Sequence, residues 1–489
     1  MKTFIFITIF GCCGIAHATW HDFYMVTTGS DTNSGSTTDN QALYYSSSGT
    51  FASNGSGATN KYRFTAASGT PFSGASTGMY ASVFLTTMTA IATTFIASIT
   101  AVDASGTWVE VDTNTIKYGV VMSSNPTSIY SCKIGGAWAS RLIIVGIFGS
   151  RVVPQSTRVN IQAGTYSNTS NTVTFGSSGG NGNLLWWRGY KKSPGDQDSN
   201  NVAVAGTDIP SFTFTTGEFS ATGSNQIFSN MSVTSAFAGS SNGAVDAHNA
   251  NLTFYRFRVV NSSNVANGQA LVQNSAARNM LIQSSYIQAS TAATNALQCN
   301  GTVECYVIGS VINGGILNIA LNGLGSTLYN CKLYGSSSHA MTVGANGGII
   351  VLNNDIYAPL GDGIRIAAAA ADGNLILNNY FENVNQSNTV AIDLAVSSNA
   401  IHISGNAYFG CTANISTNIL EGFAPYDNGT LTQAAFISPT NQNFSKLPVA
   451  QGIGFPSLFE NLPNEPPSYI DVGANQHKGI LGGGFSIAN

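Results

Sequence analysis

Along the middle of the chain, from about Gln226 to Cys411, one short apolar pattern returns every twenty-odd residues. Core positions fall at Val233, Val259, Ile287, Ile312, Leu333, Ile356, Phe381 and Phe409, with spacings of 26, 28, 25, 21, 23, 25 and 28. A second apolar column keeps step with the first seven at Val245, Leu271, Leu297, Ile319, Met341, Ile364 and Ile392. A period of this length marks a stacked repeat, in which each unit is too small to bury its apolar face alone and rests on its neighbours. Helical repeats need long amphipathic segments, and none is visible. The sequence reads instead as short strands, such as "GIIVLNNDIY", "NLILNNYFEN" and "TVAIDLAV", broken by Gly, Asn and Ser clusters. Three such strands with three turns make one coil of a parallel β-helix.

The residues three places before each core position are Asn230, Arg256, Ser284, Gly309, Asn330, Asn353, Asn378 and Asn406. Asn tolerates the left-handed conformation of a tight turn, so this column predicts a turn ladder running from coil to coil. Strand alternation also predicts which side chains face out. The residue just before each core position gives Ser232, Arg258, Tyr286, Val311, Lys332, Asp355, Tyr380 and Tyr408. Residues one coil apart stand about 4.8 Å from each other, so this line is a column that an extended ligand would meet. Tyr286, Tyr380 and Tyr408 offer faces for sugar rings, while Lys332 and Asp355 can contact hydroxyls or a carboxylate. These five are the candidate carbohydrate-binding residues, set against a plain solvated strand face. The second strand presents Gln298, Thr342, Arg365 and Asp393 outward, with Arg365 and Asp393 placed to pair, and Asp362 in "GDGIRI" reads as a turn residue.

With these coils in view, the chain resembles the secreted right-handed parallel β-helix proteins of the pectin-lyase-like superfamily. The resemblance is carried by "NNDIYAPLGDGIRI" and "LILNNYFENV", by "VNIQAGTYSN" (159–168), by "YMVTTGSDTNSGS" (24–36) and by "SYIDVGANQHK" (468–478). It implies an all-β, single-stranded right-handed parallel β-helix. It does not imply one activity, because that superfamily spans lyases, hydrolases, epimerases, tailspikes and adhesins. The aspartate-pair and Gly-His-Gly patterns of polygalacturonases are absent, as is the Arg-x-Pro-x-x-Arg pattern of pectate lyases. Between Asn230 and Cys411 the Lys and Arg residues are Arg256, Arg258, Arg278, Lys332 and Arg365, and no column concentrates carboxylates.

Composition changes the picture in two ways. Only 8% of residues are charged while 43% are hydrophobic and 10% aromatic, which describes a packed β-rich interior under a coat of hydroxyls and amides. A net charge of −4 and a single adjacent basic pair, Lys191 and Lys192, exclude a general nucleic-acid partner. The uncharged stretch Tyr80 to Val102 is long enough to cross a bilayer, but it is rich in Thr and Ser. Its second half reads as a hairpin, "FIASITAV", "DASG", "TWVEVD", so no membrane span is expected. Residues 1–18 carry the parts of a secretory signal: Lys2, an apolar run to Ile15, and Ala16-His17-Ala18. Thr19 is the expected first mature residue.

Export permits disulfides. Five cysteines follow the signal, and Cys299 and Cys305, flanking "NGTVE", are the expected pair. Cys132, Cys331 and Cys411 read as buried thiols. No C-x-x-C occurs, and no metal site or cofactor is expected, calcium entering only if the chain is a lyase. Trp186 and Trp187 should split, one ring inside and one outside, with the outer ring beside Arg188.

The expected organisation is a signal peptide (1–18), a β-rich N-terminal domain or cap (19–150), the β-helix (151–411) and a loop-rich C-terminal tail covering the last coil (412–489). The expected function is that of an exported extracellular β-helix, non-catalytic, surface-structural or glycan-binding, with a polysaccharide or cell-surface glycan as partner. Two alternatives stay open. One is a polysaccharide lyase or glycoside hydrolase with a non-standard site at Lys332 and Asp355, and the other is a phage tailspike-like fibre protein; the sequence leaves the oligomeric state open.

Overall fold

The computed structural model describes residues 20–29, 36, 43–53, 61–85, 95–112, 117–119, 130–138, 152–168, 172–180, 182–196, 208–239, 243–274, 279–300, 304–344, 346–367, 373–395, 401–416, 429–431, 434, 436–438 and 443–446. The expected signal peptide and most of the C-terminal tail lie outside the described residues. The chain divides into two compact units, residues 1–162 with 176–188, and residues 163–175 with 189–489. No α-helix occurs among the described residues, and none is long and apolar enough to cross a membrane.

The first unit contains a closed barrel of six antiparallel strands. Tyr80–Leu85 pairs with Tyr130–Gly135, and the ring runs on through Leu43–Ser53, Lys61–Ala66, Trp108–Asp112 and Phe95–Val102 back to Tyr80–Leu85. Alternation fills it: Phe51, Phe64, Val83, Val109, Val111, Cys132 and Ile134 point inward and form one buried cluster. The uncharged stretch from Tyr80 thus contributes two barrel strands, and the hairpin expected at "DASG" is present.

The second unit is a parallel β-solenoid. Its two core columns run as the apolar period predicts. In one lane Val233, Val259, Ile287, Ile312, Leu333, Ile356 and Phe381 are register partners from coil to coil. In a second lane the partners are Val245, Leu271, Leu297, Ile319, Met341, Ile364 and Ile392. All fourteen of these side chains are fully buried. A third lane precedes the first and meets it at a one-residue kink.

That kink is the predicted turn ladder. Asn230, Arg256, Ser284, Asn330, Asn353 and Asn378 all have φ between 50° and 56°, and Gly309 sits at 56°. The next residue in each coil points inward, and it makes up for the bend. Ser310 Oγ accepts from the Ser285 N–H at 3.1 Å, and Asn354, Asn379 and Asn406 Oδ1 accept from the N–H of Cys331, Asn354 and Asn379, each at 2.9 Å. Each of those three Asn side chains also donates Nδ2 to a lane carbonyl, Leu328, Val351 or Ile376, at 3.0–3.1 Å. A buried polar column is stable here because both ends of each amide are satisfied.

The last coil departs from the expected register. The left-handed residue is Gly405 (φ 68°), which reaches that conformation with no Cβ penalty, and Asn406 turns inward to join the buried ladder. Tyr408, not Phe409, is therefore the register partner of Phe381, and their rings stack at 5.4 Å. Beyond it, Gly429–Thr430 adds a parallel rung to Ala407–Tyr408.

Candidate functional site

The first lane's outer wall carries the residues singled out above. Tyr286, Val311, Lys332, Asp355 and Tyr380 do form one register column. Tyr408 does not belong to it: the shifted last coil sends its ring into the core, where it has no exposure, and Ala407 takes its outward place. Exposure divides the remaining column. Tyr286 and Lys332 are half-buried, whereas Asp355 and Tyr380 have no solvent access although they point outward. Tyr380 belongs to a cluster on the outside of the solenoid with Tyr334, Tyr357, Ala407, Phe409 and Leu431. Its hydroxyl donates to Glu382 Oε2 at 2.6 Å. Chain beyond the last coil thus contributes Leu431 to the cover of this end of the wall.

The open end is built differently. The Arg258 guanidinium lies over the Tyr286 ring, 4.4 Å from its centroid. The Tyr286 hydroxyl donates to Gln288 Oε1 at 2.8 Å and accepts from Asn313 Nδ2 at 3.4 Å. Tyr334 stands close enough to interact with the Tyr286 hydroxyl, and burial, followed by that neighbour, raises the Tyr334 phenol well above its ordinary range. It is a neutral donor at any physiological pH. Gln288, Asn313 and Tyr334 are the residues just after core positions, the other outward neighbour in each strand. The same alternation rule, applied on both sides of the core position, would have found them.

The second lane's outer wall holds two further clusters. Arg365 and Asp393 pair across adjacent coils at 3.7 Å, as their spacing suggested. His339 and Asp362, both from turns, join them. His339 Nδ1 lies 3.1 Å from Asp362 Oδ2, and its Nε2 lies 3.0 Å from Arg365 Nη1. His339 Nδ1 also accepts from the Asp362 backbone N–H at 2.9 Å, so the ring is pinned to this turn from both the main chain and the carboxylate. Gly363 lets the turn approach: a Cβ there would lie 2.4 Å from the Ala391 carbonyl oxygen. Burial alone would raise Asp362, but hydrogen bonds from His339 and the Val390 N–H, with the Arg365 charge, hold it below the ordinary carboxylate range. Asp393 moves the other way, raised by burial and by repulsion from Asp362. Farther along this wall Asp246 is fully buried in contact with His248 Nε2, with Glu218 nearby. Burial first, opposed by His248 and reinforced by Glu218, pushes Asp246 up to about 6.

Cys299 and Cys305 are not joined in this structure. Both thiols are free and buried, hydrogen-bonded to each other, and burial followed by that contact holds the Cys305 thiol well above its ordinary range. Both face the solenoid interior, where they pack as small apolar groups. Cys132 and Cys331 are buried thiols as well, and Cys411 is partly buried. Among the described residues no three His, Cys, Asp or Glu side chains gather to hold a metal ion. In the first unit Trp187 is buried and Trp186 half-exposed, as alternation predicted. Trp186 packs edge-on to Trp20 at 5.4 Å, with Arg188 5.0 Å from its centroid.

Together these features define a parallel β-solenoid protein with polar, aromatic-bearing outer walls, the fold that the resemblance to the pectin-lyase-like superfamily implied. No protein-family profile matches the sequence, and no curated protein matches it. Among solved structures it is similar to a rhamnogalacturonan lyase, with 12% identity and a TM-score of 0.42 over 67% of this chain and 90% of that one. It is also similar to a pectate lyase, Pel9A, with 12% identity and a TM-score of 0.34 over 65% of this chain and 87% of that one. A tailspike protein double mutant of E. coli bacteriophage HK620 matches with 13% identity and a TM-score of 0.36 over 58% of this chain. The matched region is 55% of that tailspike chain, about half its length. At this level of superposition the likeness says nothing of activity, and the fold rests on the strand register itself.

Proposed function

We propose that this chain is an exported glycan-binding β-solenoid whose first-lane outer wall holds a saccharide at Arg258, Tyr286, Gln288, Asn313 and Tyr334. The supporting observation is the open Arg258–Tyr286 stack bordered by amides and a neutral phenol, a surface that combines a ring face with fixed hydrogen-bond partners. Export follows from Lys2, the apolar run and Ala16-His17-Ala18. A glycan array probed with the full mature chain tests binding, and Tyr286→Ala should weaken retention by roughly three- to tenfold, the worth of one aromatic contact. An intact-mass measurement starting at Thr19 would support export, and an unprocessed Met1 would favour the fibre reading.

A second reading, hydrolysis of a glycan, is favoured by the gathering of Asp362, Asp393, His339 and Arg365 on one outer wall, where Asp362 is held low by its hydrogen bonds and Asp393 is raised by burial. It uses these residues in place of Lys332 and Asp355, because Asp355 has no solvent access. New reducing ends that disappear in Asp393→Asn would support it.

A further inference from the structure

Resting on the glycan-binding reading, we infer that the saccharide on this wall is acidic, that its carboxylate sits on the Arg258 guanidinium, and that such carboxylates are isolated along the glycan instead of present on every sugar. The first part comes from how this chain treats its arginines. Arg158 is clamped by Asp22 at 2.7 and 2.9 Å, Arg63 meets Glu110 at 3.7 Å, and Arg365 meets His339 and Asp393. Arg258 is half-buried and stacked on Tyr286, yet among the described residues its N–H groups find no hydrogen-bond acceptor or carboxylate. Stacking engages the face of a guanidinium and leaves the in-plane N–H fork exposed at its edge, the geometry that a carboxylate fills with two parallel hydrogen bonds. Gln288 and Asn313, whose amides hold the Tyr286 hydroxyl, border the stack on the same wall and supply the polar groups nearest to it.

The second part comes from what surrounds Arg258. Along its column the next residues are Tyr286 and Val311, and the next cation is Lys332, three rungs or about 14 Å away. Farther on, Asp355 and Glu382 are buried, and among the described residues the wall presents no further cation in this column. A polymer with a charge on every sugar would set carboxylates over Tyr286 and Val311 with no counter-charge, on a chain whose net charge is already −4. A heteroglycan with a single uronate per repeat meets Arg258 without that repulsion.

The test is an array in which each acidic glycan is printed beside its carboxyl-reduced form, with polygalacturonate and sulfated neutral glycans as further arms. Sparse acidic members should bind, and carboxyl reduction should lower affinity roughly ten- to hundredfold, the worth of a charge-assisted pair. Arg258→Ala should reproduce that loss. Arg258→Lys, which keeps the charge and stem but not the fork, should lose less. Because the reduction arm uses the unaltered protein, the result stands even where a variant folds poorly. Equal binding of acidic and reduced forms overturns this inference and leaves glycan binding intact. Stronger retention of polygalacturonate overturns the spacing, and equal retention of sulfated glycans overturns the carboxylate. Retention of no glycan at all overturns the glycan-binding reading itself.

Discussion

A single buried carboxylate shows how this molecule handles charge. Asp246 is folded into a site where its pKa rises from 3.8 to about 6. The sign follows from linkage: the folded state holds the proton more tightly than the unfolded chain, so stability contributed by the neutral form is lost as pH climbs from about 4 to 6. Asp246→Asn should therefore match the parent near pH 4 and exceed it above pH 6, by up to about 3 kcal/mol. Thermal unfolding midpoints of the two proteins across that range measure the gap, and a constant difference would refute the raised pKa. At the same scale, Arg258 and Tyr286 were visible as outward residues by alternation alone. The Asp246–His248 pair is not legible in this way, because nothing in the sequence neighbourhood records that His248 reaches the Asp246 carboxylate.

At the scale of one coil, the buried amide column distinguishes true ladder residues from decorative ones. Asn379 Oδ1 accepts from the Asn354 N–H and Nδ2, and Asn379 Nδ2 donates to Val351 O and Asn406 Oδ1. Asn379→Ala leaves several buried partners unpaired and should cost about 3 kcal/mol or more. Asn279 is exposed, has φ of 53° and makes one side-chain hydrogen bond to Asn251, so Asn279→Ala should cost only about 1–2 kcal/mol, mostly for backbone strain. The two tyrosines at the ends of the predicted column should separate just as cleanly. Tyr408→Ala opens a core cavity and should cost about 3–5 kcal/mol, while Tyr286→Ala should change stability by less than about 1 kcal/mol. Denaturant titrations rank all four. A mild Tyr408→Ala effect would mean that the last coil keeps the register read from the sequence, with Phe409 inside.

At the scale of the whole molecule, the solenoid has neighbour-to-neighbour cohesion only. Each coil hydrogen-bonds to the one above and the one below, so stability is a sum of local interfaces. Amide exchange should be slowest in central coils such as Leu317–Leu321 and Met341–Val343 and faster toward Ala407–Phe409. Asn379→Ala should then accelerate exchange in Ile350–Leu352 and Ile401–Ser404 while leaving Gln226–Ser235 unchanged, as mass spectrometry of peptic fragments would show. Uniform acceleration would instead indicate one cooperative unit.

The sequence by itself determined the direction in which most side chains point. A period-two strand repeated at a twenty-odd-residue pitch sends the same positions inward in every coil, and Asn or Gly at the kink marks where the chain turns, so both core columns could be written down in advance. The tertiary structure alone decided what happens outside the core. Tyr380 faces outward, yet residues near and beyond the last coil, among them Phe409 and Leu431, pack against it, and its solvent access depends on such distant chain. It also decided the last register, where Gly405 and Asn406 compete for one turn and the buried ladder claims the asparagine. Alternation is a local property of the backbone, whereas burial of an outer wall is set by segments far away in the chain that a repeat pattern does not encode.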